Sequence, residues 1–111
     1  MLNRSLLIVR ARQPFLDWLR SLPDPIDGDT TLDLINEDAT AYLIPDYEDE
    51  DEYAAVLCEA FDPIFEHQLS GWWLDENDWP RNRTVEMFHA WFAIESHVMV
   101  EDLVDGPIVD D

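Results

Sequence analysis

The segment YAAVLCEAFDPIFEHQL, residues 53–69, carries the strongest structural signal in the chain. Its apolar side chains recur three and four residues apart, the spacing of an amphipathic helix with one buried face. They are Tyr53, Val56, Leu57, Ala60, Phe61, Ile64, Phe65 and Leu69. Gly71 follows as the expected C-cap. Pro63 conflicts with a continuous helix, and it predicts either a kink or a second helix with Asp62 as its N-cap.

The chain before this helix predicts three short strands and one helix. Leu6–Ala11 alternates between two faces, as a strand does. A helix then begins near Pro14, a residue that suits the first helical turn. Thr31–Ile35 and Ala39–Ile44 are predicted as strands, and the Asn, Glu and Asp between them predict a hairpin turn.

The chain after the long helix predicts a loop, a short helix over residues 84–92 and a final strand, Ile94–Leu103. The predicted order is therefore β-α-β-β-α-α-β. This order favours a single α+β domain over residues 1–111, with about four antiparallel strands and helices on one face, in a ferredoxin-like arrangement. Residues 105–111 are expected to form a short acidic tail.

The charge of the chain is strongly negative. Its 111 residues include 26 Asp and Glu against 6 Arg and no Lys, for a formal net charge of −20. The hydrophobic fraction of 47% excludes the disordered class, whose acidic chains lack apolar residues. Residues 21–80 hold eighteen acids and no Lys or Arg, and six of these acids surround Tyr47 in Asp46–Glu52. Direct nucleic-acid binding is disfavoured, because phosphate contacts need clustered basic residues.

Several classes of protein are not expected from this sequence. No apolar run approaches the roughly 20 residues of a membrane span, and the N-terminus does not resemble a secretory signal. The single cysteine, Cys58, excludes an internal disulfide and is expected to be a buried small side chain. A cytoplasmic, bacterial-type protein is the resulting expectation. No catalytic serine motif, phosphate loop or lysine is present, so no catalytic residue and no cofactor are predicted.

Two acidic segments are candidates for binding a partner. Residues 71–80 combine three Trp with three acids, and these rings either cover the core or form an exposed anchor, since Trp is enriched in interface hot spots. The second segment is the acidic stretch around Tyr47. The candidate residues are Trp72, Trp73, Trp79, Asp75, Glu76, Asp78, Glu48, Asp49, Glu50 and Asp51.

A polar patch is a further candidate. If the first and last strands are antiparallel neighbours, one sheet face will carry Arg10, Arg12, Glu95, His97 and Glu101. Such a patch is either cross-strand charge pairing or a functional site around His97.

The sequence favours a non-enzymatic interaction protein: an inhibitor, an immunity protein or a regulatory partner of a basic protein, with its acids in the role of nucleic-acid phosphates. One alternative is a small enzyme or metal-binding protein that uses His89 or His97 with nearby carboxylates. Another is an acidic chaperone for a secreted client. The acids also fit a solubility role or a high-salt habitat, and a homodimer is compatible with the sequence.

Overall fold

A computed structural model describes residues 4–101 and 103 of the chain. Within them the chain forms one compact α+β domain with a three-stranded antiparallel sheet and four α-helices. In chain order the elements are β1 (Arg4–Ala11), α1 (Gln13–Ser21), α2 (Leu32–Ile35), β2 (Thr40–Pro45), α3 (Glu50–Ser70), α4 (Val85–Trp91) and β3 (Phe92–His97). Single turns of 3-10 helix occupy Asn36–Asp38 and Glu76–Asp78.

The sheet has the order β2-β1-β3, with β1 antiparallel to both neighbours. Leu6 lies opposite Leu43 on one side and His97 on the other. Because side chains alternate between faces, Ser5, Leu7, Val9 and Ala11 point into the core, and the even-numbered residues of β1 line the open face of the sheet. The first and last strands are thus antiparallel neighbours, as the predicted topology requires.

The core lies between one face of the sheet and helices α1, α3 and α4. Its fully buried rings are Phe15 of α1, Phe65 of α3, Phe88 of α4 and Phe92 of β3. Phe65 and Phe92 meet edge to face, with ring centroids 5.2 Å apart. Aromatic contacts of this kind add to the area that they bury. The aromatic residues therefore join the helices to the sheet.

The long helix predicted from residues 53–69 is confirmed as α3, which starts earlier, at Glu50. Asp49 is its N-cap, and the helix continues through Pro63 to a cap at Gly71. The alternative of a second helix capped by Asp62 is wrong. Proline removes the hydrogen bond to the carbonyl four residues earlier, at Glu59. Both Pro63 and Glu59 are exposed, so water can satisfy that oxygen.

The predicted strand Thr31–Ile35 is wrong. The Thr31 side chain accepts a hydrogen bond from the Leu34 N–H at 3.2 Å and thereby caps the short helix α2. A turn of 3-10 helix replaces the predicted hairpin, and its Asn36 side chain bonds both backbone groups of Ala11, at 2.7 and 3.0 Å. The Asn36 side-chain amide therefore satisfies the two backbone groups of Ala11 that a residue of a neighbouring strand would otherwise bind.

The sheet thus has three strands where four were predicted, and the described residues do not confirm a ferredoxin-like arrangement. The final strand differs from the predicted Ile94–Leu103 at both ends. β3 starts earlier, at Phe92 directly after α4, and it ends earlier, at His97. The short helix predicted over residues 84–92 is confirmed as α4, with Thr84 as its N-cap. The predicted tail at 105–111 lies outside the described residues.

Candidate functional site

The acidic run, Asp46–Glu52, connects the end of β2 to the start of α3. Ser5, which is fully buried, donates a hydrogen bond from its hydroxyl to the Asp46 carboxylate at 2.8 Å and ties the run to β1. Asp49 accepts the N–H of Glu52 at 2.8 Å, and the Glu52 carboxylate accepts the N–H of Glu48 at 2.7 Å. This reciprocal pair resembles a capping box, so the run has a defined conformation at the helix start.

These bonds divide the acids of the run into two groups. The carboxylates of Asp46, Asp49 and Glu52 accept hydrogen bonds that fix the local chain. Glu48, Glu50 and Asp51 are exposed, and within residues 4–101 and 103 their carboxylates have no ion-pair or hydrogen-bond partner. The positive end of the α3 dipole stabilises acids here and lowers the cost of gathering them. Three uncompensated carboxylates are therefore presented on an ordered scaffold.

A cavity of about 420 Å³ lies beside the acidic run. We call it the tyrosine pocket; its lining residues are Tyr47, Glu48, Asp49, Glu50, Tyr53, Ser96 and Val98. The rings of Tyr47 and Tyr53 are tilted by 47° with centroids 4.8 Å apart. This pocket was not predicted from the sequence, although the position of Tyr47 inside an acidic run indicates an aromatic site with a negative surround.

Ser96 and Val98 belong to the pocket because of the strand directions. The end of β3 lies beside the start of β1. The end of β2 lies at the same end of the sheet, on the other side of β1, and α3 starts shortly after it. Burial raises the pKa of Tyr53, the neighbouring Tyr47 raises it further, and a hydrogen bond with Ser96 opposes the shift. Tyr53 therefore stays a neutral phenol at neutral pH.

The Trp loop, residues 71–80, stabilises itself and contacts α1. The Trp73 indole N–H donates to the Asp78 carboxylate at 2.9 Å, and the Trp79 indole N–H donates to the Trp73 carbonyl at 2.8 Å. Trp18 of α1 donates to the Asp78 carbonyl at 3.0 Å. Trp73 and Trp79 are half-buried against the core, whereas Trp72 is exposed. Trp72 is thus the ring of this loop most available to a partner.

The carboxylates of the Trp loop are partly used within it. Asp75 accepts the N–H of Asn77 at 3.0 Å at the start of a 3-10 turn, and Glu76 is exposed in that turn.

The two predicted partner-binding segments lie at opposite ends of α3. The acidic run ends in the first turn of α3, and the Trp loop follows the last turn. A helix of 21 residues is about 30 Å long at 1.5 Å per residue. The structure therefore does not bring these segments into one site.

The predicted polar patch is assembled in part. On the open face of the sheet Glu95 lies opposite Ile8 and His97 opposite Leu6. The His97 Nε2 and a Glu95 carboxylate oxygen are 2.8 Å apart. Arg10 acts on the same carboxyl, because its charge helps to lower the pKa of Glu95.

Two members of that predicted patch lie elsewhere. Arg12 follows the end of β1, where its backbone N–H donates to the Trp91 carbonyl at 2.8 Å. Glu101 lies beyond the end of β3. The structure therefore places Arg10, Glu95 and His97 together and leaves the other two outside the strand pairing.

We expect the Glu95 carboxyl to titrate below the ordinary glutamate pKa, and His97→Gln to raise its pKa towards that value. The hydrogen bond from His97 is the largest cause of the lowered pKa, followed by the His97 charge, and Arg10 contributes least. Because the pKa of Glu95 is lower in the folded protein, the ionised carboxylate stabilises the fold at any pH above the ordinary glutamate pKa. This stabilisation is lost as the pH falls through the lowered pKa. Carboxyl-detected NMR titration measures it. Arg10→Gln should raise the pKa less, and equal shifts in both variants would contradict this assignment.

The remaining candidate residues do not come together as a metal-binding site within the described part of the chain. His89 is exposed in the last turn of α4, and Cys58 is exposed, contrary to the expectation of burial. The Nδ1 of His67 lies 2.7 Å from the Tyr42 hydroxyl. Within residues 4–101 and 103, no three His, Cys, Asp or Glu side chains lie close enough together to hold a metal ion. Each helix in the same part of the chain is too short or too polar to span a bilayer.

No known protein family matches this chain, and neither a curated protein nor a solved structure is detectably similar to it.

Proposed function

We propose that this protein is a non-enzymatic interaction protein that binds a basic partner through the acidic run at the start of α3. The exposed carboxylates of Glu48, Glu50 and Asp51 carry the proposal, because they have no partner among the described residues and stand on a conformation fixed by Asp46, Asp49 and Glu52. A toxin, a nuclease or a DNA-binding protein has the surface that would recognise them. The role is then that of an immunity protein, an inhibitor or a regulator.

The distribution of charge supports this role. The acidic run lies within sixty residues that contain no Lys or Arg, so the chain offers little internal competition for its acids there. Complementary charge steers a basic partner into contact and can raise the association rate to about 10⁸–10⁹ M⁻¹s⁻¹ at low salt. Closely spaced carboxylates also reproduce the negative charge that a nucleic-acid-binding surface recognises.

The test is a comparison of three immobilised baits in lysate from the source organism. They are the wild type, the triple variant Glu48→Gln, Glu50→Gln and Asp51→Asn, and a control with Glu37→Gln, Asp38→Asn and Glu59→Gln, which are exposed acids outside both candidate segments. Both variants remove three charges, but the control acids lie outside the acidic run. We expect the wild type and the control to retain the same basic protein, and about 0.5–1 M NaCl to release it by screening. Equal retention on all three baits would contradict the proposal.

A further inference from the structure

We propose that the tyrosine pocket receives an arginine side chain of the basic partner. This inference rests on the proposed function and names the contact that would give it specificity. The pocket is an open groove of about 420 Å³ that is lined by two tyrosines and three acids.

The pocket offers two kinds of surface that favour a cation. Tyr47 and Tyr53 both line the pocket, and a tyrosine ring attracts a cation that lies over it within about 6 Å of the ring centre. Glu48 and Glu50 also line the pocket, and neither has an ion-pair partner among residues 4–101 and 103. An acidic surface alone attracts any positive charge. Aromatic rings beside carboxylates can in addition distinguish one type of basic side chain from another.

The chemistry favours arginine over lysine. A guanidinium is planar, stacks on aromatic rings and is more weakly hydrated than an ammonium, and its fork of N–H groups binds a carboxylate through two hydrogen bonds. Val98 and the tyrosine rings give the aliphatic stem of the side chain an apolar wall.

The positive end of the α3 dipole opposes a cation at this position. It is equivalent to about half a charge, and the first turn already contains Glu50, Asp51 and Glu52 beside the Asp49 cap. The carboxylates outweigh the dipole, so the local field still attracts a cation.

The first experiment uses a peptide probe. An N-acetylated, C-amidated pentapeptide with two arginines is titrated into the whole protein at low ionic strength, and versions with lysine or citrulline serve as matched probes. Citrulline keeps the shape of arginine but carries no charge. We expect the arginine peptide to shift the amide signals of Tyr53 and Ser96, the lysine peptide to bind several-fold more weakly, and the citrulline peptide not to bind. Equal binding of the arginine and lysine peptides, or shifts confined to other residues, would overturn the assignment.

The second experiment uses variants of the pocket and the same arginine peptide. Tyr47→Ala removes one ring from the segment before α3 and should weaken binding by roughly 3- to 30-fold, the range from an exposed to a desolvated cation–π contact. Tyr47→Phe keeps the ring and should bind like the wild type. Val98→Arg places an arginine at the pocket wall and should block the probe, whereas Met99→Arg makes the same charge change at an exposed neighbour outside the lining. Equal binding by Val98→Arg and Met99→Arg would overturn the proposal even if Tyr47→Ala failed to fold.

The same variants, used as baits, separate the two proposals. If the basic partner is lost from the acidic-run variant but retained by Val98→Arg and Tyr47→Ala, the pocket assignment fails and the proposed function stands. If the acidic-run variant retains the partner, the proposed function fails. Loss from Val98→Arg and Tyr47→Ala, with retention by Met99→Arg and Tyr47→Phe, supports the pocket.

Discussion

Replacing Phe65 by alanine should lower the free energy of unfolding by about 3–5 kcal/mol, the range for a large buried aromatic residue. Phe65 is completely buried where α3, α4 and β3 meet. Its ring centroid lies 5.4 Å from that of Trp91 and 5.2 Å from that of Phe92. The surrounding rings belong to separate elements, so they cannot collapse easily into the cavity. Urea denaturation followed by tryptophan fluorescence measures the loss.

Phe61→Ala is the matched control, because Phe61 lies on the same apolar stripe of α3 but is half-buried. It should lose less than half as much stability. The sequence pattern predicts both residues to be buried, whereas the structure separates them. Equal losses in the two variants would contradict the packing described for the core.

Replacing Arg83 by alanine should destabilise the fold by about 1.5–3 kcal/mol, with the reduction for solvent screening included. The Arg83 side chain is 16% exposed, and its nitrogens lie 2.7 Å from Asp62 and 3.3 Å from Glu66 on α3. It also donates to the Pro80 carbonyl at 3.0 Å. Without it, two α3 carboxylates repel each other in a strongly acidic protein. The effect stays below the 3–5 kcal/mol of a fully buried pair, because these carboxylates are close to half exposed.

The control for this prediction is Arg81→Ala, which removes the same charge at an exposed position two residues earlier. Arg81→Ala should change the free energy of unfolding by less than about 0.5 kcal/mol, as surface substitutions commonly do. Similar losses in both variants would show that net charge, rather than the contacts of Arg83, determines the effect. Thermal or urea unfolding at fixed ionic strength distinguishes the two outcomes.

The elements predicted correctly from the sequence are those with a local periodic signal. The apolar spacing of residues 53–69 was sufficient for α3, and alternation was sufficient for β1. Pro63 suggested a break in the helix that does not occur. The proline removes one backbone hydrogen bond, but it does so on the solvent-exposed side of the helix, where water can replace that bond. The strand predicted for Thr31–Ile35 was wrong because alternating leucines fit one helical turn as well as a strand. The hydrogen bond from the Leu34 N–H to the Thr31 side chain favours the helix.

The candidate site could be predicted only in part. The acids of the run and its single tyrosine, Tyr47, are visible in the sequence, and so are the three Trp of residues 71–80. The tyrosine pocket also needs Ser96 and Val98, which come from the far end of the chain and reach Tyr53 only through the pairing of β1 with β3. The hydrogen bond of the Asp46 carboxylate could not be predicted either, because its donor, Ser5, lies 41 positions away in the sequence.

The most direct test of the central claim is a hydrogen–deuterium exchange footprint of the protein with the basic partner that the wild-type bait retains. The two candidate segments lie about 30 Å apart along α3, so exchange can separate them clearly. We predict slower exchange in residues 46–53 and 95–99 when the partner binds, with residues 71–80 unchanged. Slower exchange in residues 71–80, with the acidic run unchanged, would contradict the account and place the partner on the Trp loop.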